Sequence, residues 1–163
     1  MTILEEILQV KKREVVEWRG KDLPKIASTP RSLFEAFQKS ETLNVIAEIK
    51  RASPSRGDIN ANVDPRVQAM KYVEAGAGAI SVLTDETFFK GSMEDLRSVR
   101  ETVDVPLLCK DFVVDSVQID VAKAYGADVI LLIVAALTPS KLSELYEYAK
   151  GEGLDVLVEV HNE

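Results

Sequence analysis

Glu48 and Lys50 stand two positions apart in the run Val45-Ile46-Ala47-Glu48-Ile49-Lys50, whose apolar and β-branched residues read as a strand. Side chains two positions apart leave a strand on the same face, so a carboxylate and an ammonium share one side of it. The chain then breaks at Pro54 and Gly57 into a polar loop running to Asn62. Desolvating two such charges is costly unless they serve one another or a ligand. Two further ionisable residues stand in comparable places: Lys110 closes the run Val105-Pro106-Leu107-Leu108-Cys109-Lys110, and Glu159 lies between Val158 and Val160. In alternating register Leu108 and Lys110 share a face, as do Leu157, Glu159 and His161. If these faces meet in one interior, two lysines and two glutamates converge at its rim. Such a cluster is balanced in charge, and its members tune one another for proton transfer. An ordinary ion pair at a strand end explains any one of these residues. It explains poorly four of them at equivalent ends of three strands.

The elements that would carry these groups repeat along the chain. The segments Glu74–Leu83, Ala124–Ile133 and Glu152–Val160 each place a glycine after a helical stretch and begin a strand two or three residues later. A glycine there closes the helix in the left-handed conformation, and a nearly continuous apolar strand marks a parallel sheet covered on both faces. Strands over Asn44–Lys50 and Val105–Lys110 complete a set of five. Helical spacing fills the gaps at Pro65–Ala75 (after an Asp64 cap), Ser92–Thr102, Ser116–Tyr125 and Pro139–Lys150 (after Thr138). An amphipathic helix over Ile3–Trp18 precedes them. The alternation, in units of roughly 25 to 35 residues, is that of βα modules and allows an open doubly wound sheet or a closed barrel. The loop Arg51-Ala52-Ser53-Pro54-Ser55-Arg56-Gly57 lacks the glycine pattern of a dinucleotide-binding turn. Polar residues at the carboxyl ends of several strands are instead the habit of barrel enzymes.

Composition narrows the function classes. At 163 residues, 46% hydrophobic and 29% charged, the chain can build one sizeable core. A net charge of −7 opposes nucleic-acid binding but leaves room for a small anion held by local lysines. The longest apolar run, Val129 to Leu137, is too short to span a membrane, and the acidic amphipathic start is unlike a secretory signal. Cys109 is the only cysteine, which fits a reducing, cytoplasmic setting; its Leu107 and Leu108 neighbours make it a buried filler. Phe88, Phe89 and Phe112 fall after the second and third strands, where they line an aromatic-substrate pocket or simply cap the barrel. His161 is assigned no role. No metal is expected, since no His, Cys and carboxylate residues cluster at ligand spacing.

With Glu-Ile-Lys-Arg-Ala-Ser-Pro-Ser at 48–55, Leu-Cys-Lys-Asp-Phe at 108–112 and Leu-Val-Glu-Val-His at 157–161, the chain resembles the indole-3-glycerol phosphate synthase family. The resemblance runs from the Lys11-Lys12-Arg13-Glu14-Val15 stretch to the last residue. It implies a (βα)8 barrel of TIM type with an extra N-terminal helix, truncated here after its fifth strand: a helical extension over 1–43 and a partial barrel over 44–163. It also implies a cofactor-free carboxy-lyase that closes the ring of 1-(2-carboxyphenylamino)-1-deoxyribulose 5-phosphate for tryptophan synthesis. By that resemblance Lys110 is the general acid that protonates the ketone oxygen, and Glu159 removes a proton in the later dehydration. Glu48 orients the reacting groups. Lys50 holds the substrate's carboxylate or phosphate and shuttles a proton late. Ser53, Phe89, Phe112 and Leu131 match substrate-pocket positions, and the loop 51–62 is expected to act as a lid hinged at Gly57. A five-strand piece leaves its outer strands unpaired, so self-association or a complementary half-barrel is expected. The alternatives are a non-catalytic half-barrel module and an isomerase on a neighbouring phosphate-binding barrel.

Overall fold

The computed structural model describes residues 1–25 and 29–160. Two helices come first, α1 (Ile3–Arg19) and the short α2 (Leu33–Lys39), then β1 (Ile46–Ile49). Two short strands follow, β2 (Ala52–Ser53) and β3 (Gly57–Asp58). Beyond them the chain alternates through α3 (Pro65–Glu74), β4 (Ala79–Leu83), α4 (Met93–Thr102), β5 (Leu107–Lys110) and α5 (Ser116–Ala124). It continues through β6 (Val129–Ile133), α6 (Pro139–Gly151) and β7 (Asp155–Glu159). Side chains start the helices where expected: Asp64 accepts a hydrogen bond from the Arg66 amide at 3.0 Å, and Thr138 accepts one from the Lys141 amide at 3.2 Å.

Five strands form one parallel sheet in the order β1-β4-β5-β6-β7, matching five successive strands of a (βα)8 barrel. One face packs on the helices: Ile80, Val82, Leu107, Cys109, Ile130 and Leu132 meet Leu96, Val99, Ile119, Leu145 and Ala149. The other carries Ala79, Leu108, Val129, Leu131, Ile133 and Leu157 in a smaller cluster with Leu33 and Phe37 of α2. Each fully buried leucine or isoleucine contributes roughly 1.5–3 kcal/mol, so both layers matter and register is fixed on both faces. The edges, β1 and β7, expose Ile46 and Val158.

Two features were not anticipated. Segment 51–62 is not an open loop: Ala52 and Ser53 pair antiparallel with Gly57 and Asp58. The Arg51 carbonyl accepts hydrogen bonds from Ile59 and Asn60, and the Arg51 guanidinium forks onto Asp95 at 2.8 and 3.1 Å. Asp95 is half-buried, and burial pushes its carboxyl above the usual range despite the opposing pull of Arg51. The second feature is α2, which closes the end of the sheet opposite the strand-end charges. There the Arg31 amide donates to Asp128 at 2.6 Å and the Leu33 amide to Asp155 at 2.8 Å.

Candidate active site

The register aligns Glu48 of β1 with Ser81 of β4 and Leu108 of β5, while Lys110 lies one layer further along the strand direction beside Leu83. Neighbouring strands are about 4.8 Å apart, so Glu48 and Lys110, two strands apart, meet only through their side chains. They do meet: the Lys110 ammonium donates to Glu48 Oε2 at 2.8 Å. The small side chain of Ser81 occupies the strand between them. Lys50 Nζ lies 4.0 Å from the other oxygen of the same carboxylate, so Glu48 stands between two ammonium groups. All three are about one-third exposed (32% to 34%), and pairs so exposed contribute only about 0–1 kcal/mol to stability. Folding stability is therefore a weak reason for placing them here.

The Lys50 ammonium also lies 5.7 Å from the centroid of the Phe89 ring, within cation–π range. Phe89 in turn stands 6.0 Å from Phe112, the rings inclined by 34° to form adjoining walls. A cavity of about 530 Å³ opens beside them, lined by Lys50, Ser53, Pro54, Ser55, Phe89, Phe112, Ile133, Ala135 and Glu159, and roofed by Ile3, Leu4 and Ile7 of α1. It combines apolar walls with an ammonium and a carboxylate, the composition of a site for a small aromatic anion. A second cavity of about 510 Å³ lies further along α1 toward its carboxyl end, lined by Glu14, Trp18, Thr84 and Asp111 among others, with none of the four strand-end charges.

The sequence profile of the indole-3-glycerol phosphate synthase family matches residues 4–163. The chain belongs to that family. The indole-3-glycerol phosphate synthase of Exiguobacterium sibiricum is 54% identical over 165 residues, covering 99% of this chain and 63% of that protein. That of Bacillus cereus strain B4264 is 56% identical over 163 residues, with the same two coverages. The chain thus spans 63% of the length of the curated relatives it matches.

Of the expected family residues, Glu48, Lys50 and Lys110 form one contiguous charge cluster. Lys50, Ser53, Phe89, Phe112 and Glu159 line the cavity. Glu48, Lys110 and Leu131 are not in its wall. The two charges join it through Lys50, and Leu131 lies in the inner cluster against which Phe112 packs. Ser53 is nearly buried, its hydroxyl accepting a hydrogen bond from the Arg56 amide at 3.2 Å. Phe88 is outside the cavity wall, and His161 lies outside the described residues.

A cluster of four charged residues carries no signal of its role in the strand-end pattern of the sequence. Lys11 of α1 is buried to 1% exposure, with its ammonium against Asp85, Asp111 and Glu14. Burial alone would lower its pKa; the Asp111 and Asp85 carboxylates outweigh that and raise it. One signal could have found it: Lys11 sits at helical spacing between the buried Ile7 and Val15, on the apolar stripe.

Cys109 is no nucleophile. Its side chain faces the helices at 2% exposure, and burial, with Asp111 adding to it, pushes the thiol up to about 12. Thiol reagents need the thiolate, so the native protein is expected to react at least ~100-fold more slowly near neutral pH than the urea-unfolded chain. A thiol-release assay in the two states checks this; comparable rates would show that the strand is open to solvent.

Proposed function

We propose that the cluster converts 1-(2-carboxyphenylamino)-1-deoxyribulose 5-phosphate into indole-3-glycerol phosphate, carbon dioxide and water. The observation that carries the reading is the Lys110–Glu48–Lys50 array beside the Phe89 and Phe112 walls. The aryl ring rests against the two phenyl rings, and its carboxylate faces the Lys50 ammonium. The ring carbon bearing the carboxylate attacks the ketone carbon, forming the new carbon–carbon bond while the ketone oxygen takes a proton from Lys110. An ammonium suits this step because it stabilises the developing oxyanion as well as donating to it. Glu48 holds Lys110 on target until the substrate oxygen replaces it. Loss of carbon dioxide returns an electron pair to the ring. The new hydroxyl then leaves as water with a second proton, shuttled by Lys50, while Glu159 takes the proton lost from the carbon next to nitrogen. Two protons enter and one leaves, matching the one consumed when a carboxylate departs as carbon dioxide.

Barrels of this type place most of the phosphate site after strands seven and eight, beyond the five strands described here. The exposed edges of β1 and β7 support association with a complementary part or a second copy. A cytoplasmic setting is supported by the single cysteine, a free thiol. The test is to supply the chain with the carboxy-terminal part of the Bacillus cereus relative that it does not span, then follow indole absorbance. Product is expected from the carboxylated substrate and none from an analogue lacking the ring carboxylate. No product, under conditions where the whole relative turns over, would overturn the reading.

A further inference from the structure

Lys11 lies at the centre of three carboxylates, yet no step of the proposed reaction uses it. Its ammonium is 2.8 Å from Asp111 Oδ1 and 3.0 Å from Glu14 Oε2, and it is in closer contact still with Asp85 Oδ1. Lys11 and Asp85 are both sealed from solvent, at 1% and 0% exposure. What the two aspartates do with their remaining capacity is informative. Asp85 Oδ2 accepts hydrogen bonds from the Phe88 and Phe89 amides at 2.6 and 3.1 Å. Asp111 accepts from the Phe112 amide at 2.7 Å and from the Thr84 hydroxyl at 3.0 Å. Each aspartate therefore holds the backbone of one aromatic wall, and one lysine holds both aspartates.

We propose that Lys11 is a positioning residue for the aryl-binding walls: through Asp85 and Asp111 it sets Phe89 against Phe112 at the separation that receives an aryl carboxylate. For the identity of the ligand the inference rests on the preceding reading. Without the ammonium, two buried carboxylates face each other, and like charges in a low-dielectric site either take up a proton or move apart. Either response shifts the loops that carry the phenyl rings. The same helix supplies Ile3, Leu4 and Ile7 to the cavity roof, so docking of α1 and ordering of the walls are one event. Linkage makes this reciprocal: a ligand on the walls tightens the hold on α1 by the factor by which α1 tightens the ligand.

A lysine that merely anchored α1 could loosen the cavity roof on removal but would leave the Phe88, Phe89 and Phe112 amides protected. The discriminating experiment compares the parent chain with Lys11→Met and Glu14→Gln by amide hydrogen exchange and by fluorescence titration with 2-aminobenzoate. In Lys11→Met, exchange at Phe88, Phe89 and Phe112 is expected to rise at least tenfold while the amides of β4 and β5 keep their protection. Glu14 touches the same ammonium but no wall, so Glu14→Gln should leave those three amides as they were. Affinity for 2-aminobenzoate should fall at least fivefold in Lys11→Met. Unchanged exchange at Phe89 and Phe112, or unchanged affinity where the parent binds, overturns the proposal. If the parent does not bind 2-aminobenzoate, the reading of the ligand fails, while the exchange data still decide the role of Lys11. Should Lys11→Met not fold, Asp85→Asn replaces it. Faster exchange confined to Phe88 and Phe89 supports the proposal, and exchange within twofold of the parent sinks it.

Discussion

Lys110→Met, in the chain complemented as above, is expected to lower kcat by about 10²- to 10⁴-fold, the usual worth of a positioned general acid. Methionine keeps the length and most of the volume of the lysine stem, so the strand should pack as before. The Lys110–Glu48 pair is one-third exposed, and its loss should cost at most about 1 kcal/mol of stability. KM should change little, because Lys50, Phe89 and Phe112 still receive the aryl carboxylate. A fall in kcat and kcat/KM by the same factor would mark an interaction made only in the transition state. Lys110→Arg separates charge from proton donation: guanidinium remains charged at any working pH and cannot give up its proton. It should recover part of the electrostatic stabilisation and none of the acid catalysis, leaving kcat well below the parent. A Lys110→Met variant within threefold of the parent kcat would remove Lys110 from the acid role and leave it an ordinary partner of Glu48.

How far the sequence foretold these contacts depends on the length scale of the signal. The parallel sheet was legible because its strands are largely apolar and three of the five, β4, β6 and β7, follow a glycine just past a helix. Those glycines, Gly76, Gly126 and Gly153, do adopt φ of +99°, +109° and +82°. Glu48, Lys50 and Lys110 were legible as members of one cluster because parity along a strand fixes the face, and strand ends in a parallel sheet share one rim. Lys11 was not legible as a buried group, since a lysine on a helix ordinarily points to water and two of its three acidic partners, Asp85 and Asp111, are remote in the chain. The ladder in segment 51–62 was hidden for a different reason. Two rungs are too few to leave a period, and what ties the segment down is the Arg51–Asp95 fork, a contact between distant residues. Helix α2 is equally short, and its place under the sheet depends on Asp128 and Asp155. Local patterning thus specified the layers, while buried charge decided how the N-terminal segment is pinned to both ends of them.

Asp128 carries the second large effect, on stability rather than turnover. Its carboxylate accepts hydrogen bonds from the Arg100 guanidinium at 2.5 Å, the Leu107 amide at 2.8 Å and the Arg31 amide at 2.6 Å. Arg100 is itself buried, donating to the carbonyls of Val103 and Val105 at 2.8 and 3.0 Å, and burial lowers its pKa against the pull of Asp128. Gly126 makes room for it: a Cβ there would lie 2.5 Å from Arg100 Cγ. Asp128→Ala leaves the guanidinium buried without its counter-charge and orphans two amides, an arrangement that costs about 3–5 kcal/mol. For a chain of this size that corresponds to a fall in Tm of roughly 6–20 °C. The double variant Asp128→Ala with Arg100→Met removes both charges and should be less destabilised than Asp128→Ala alone, because the main penalty is the uncompensated cation. Asp128 lies at the sheet end remote from Lys110, so 2-aminobenzoate affinity, measured where the variant is folded, should match the parent. Urea unfolding of the two variants checks the order; an Asp128→Ala cost below about 1 kcal/mol would mean that water already reaches Arg100.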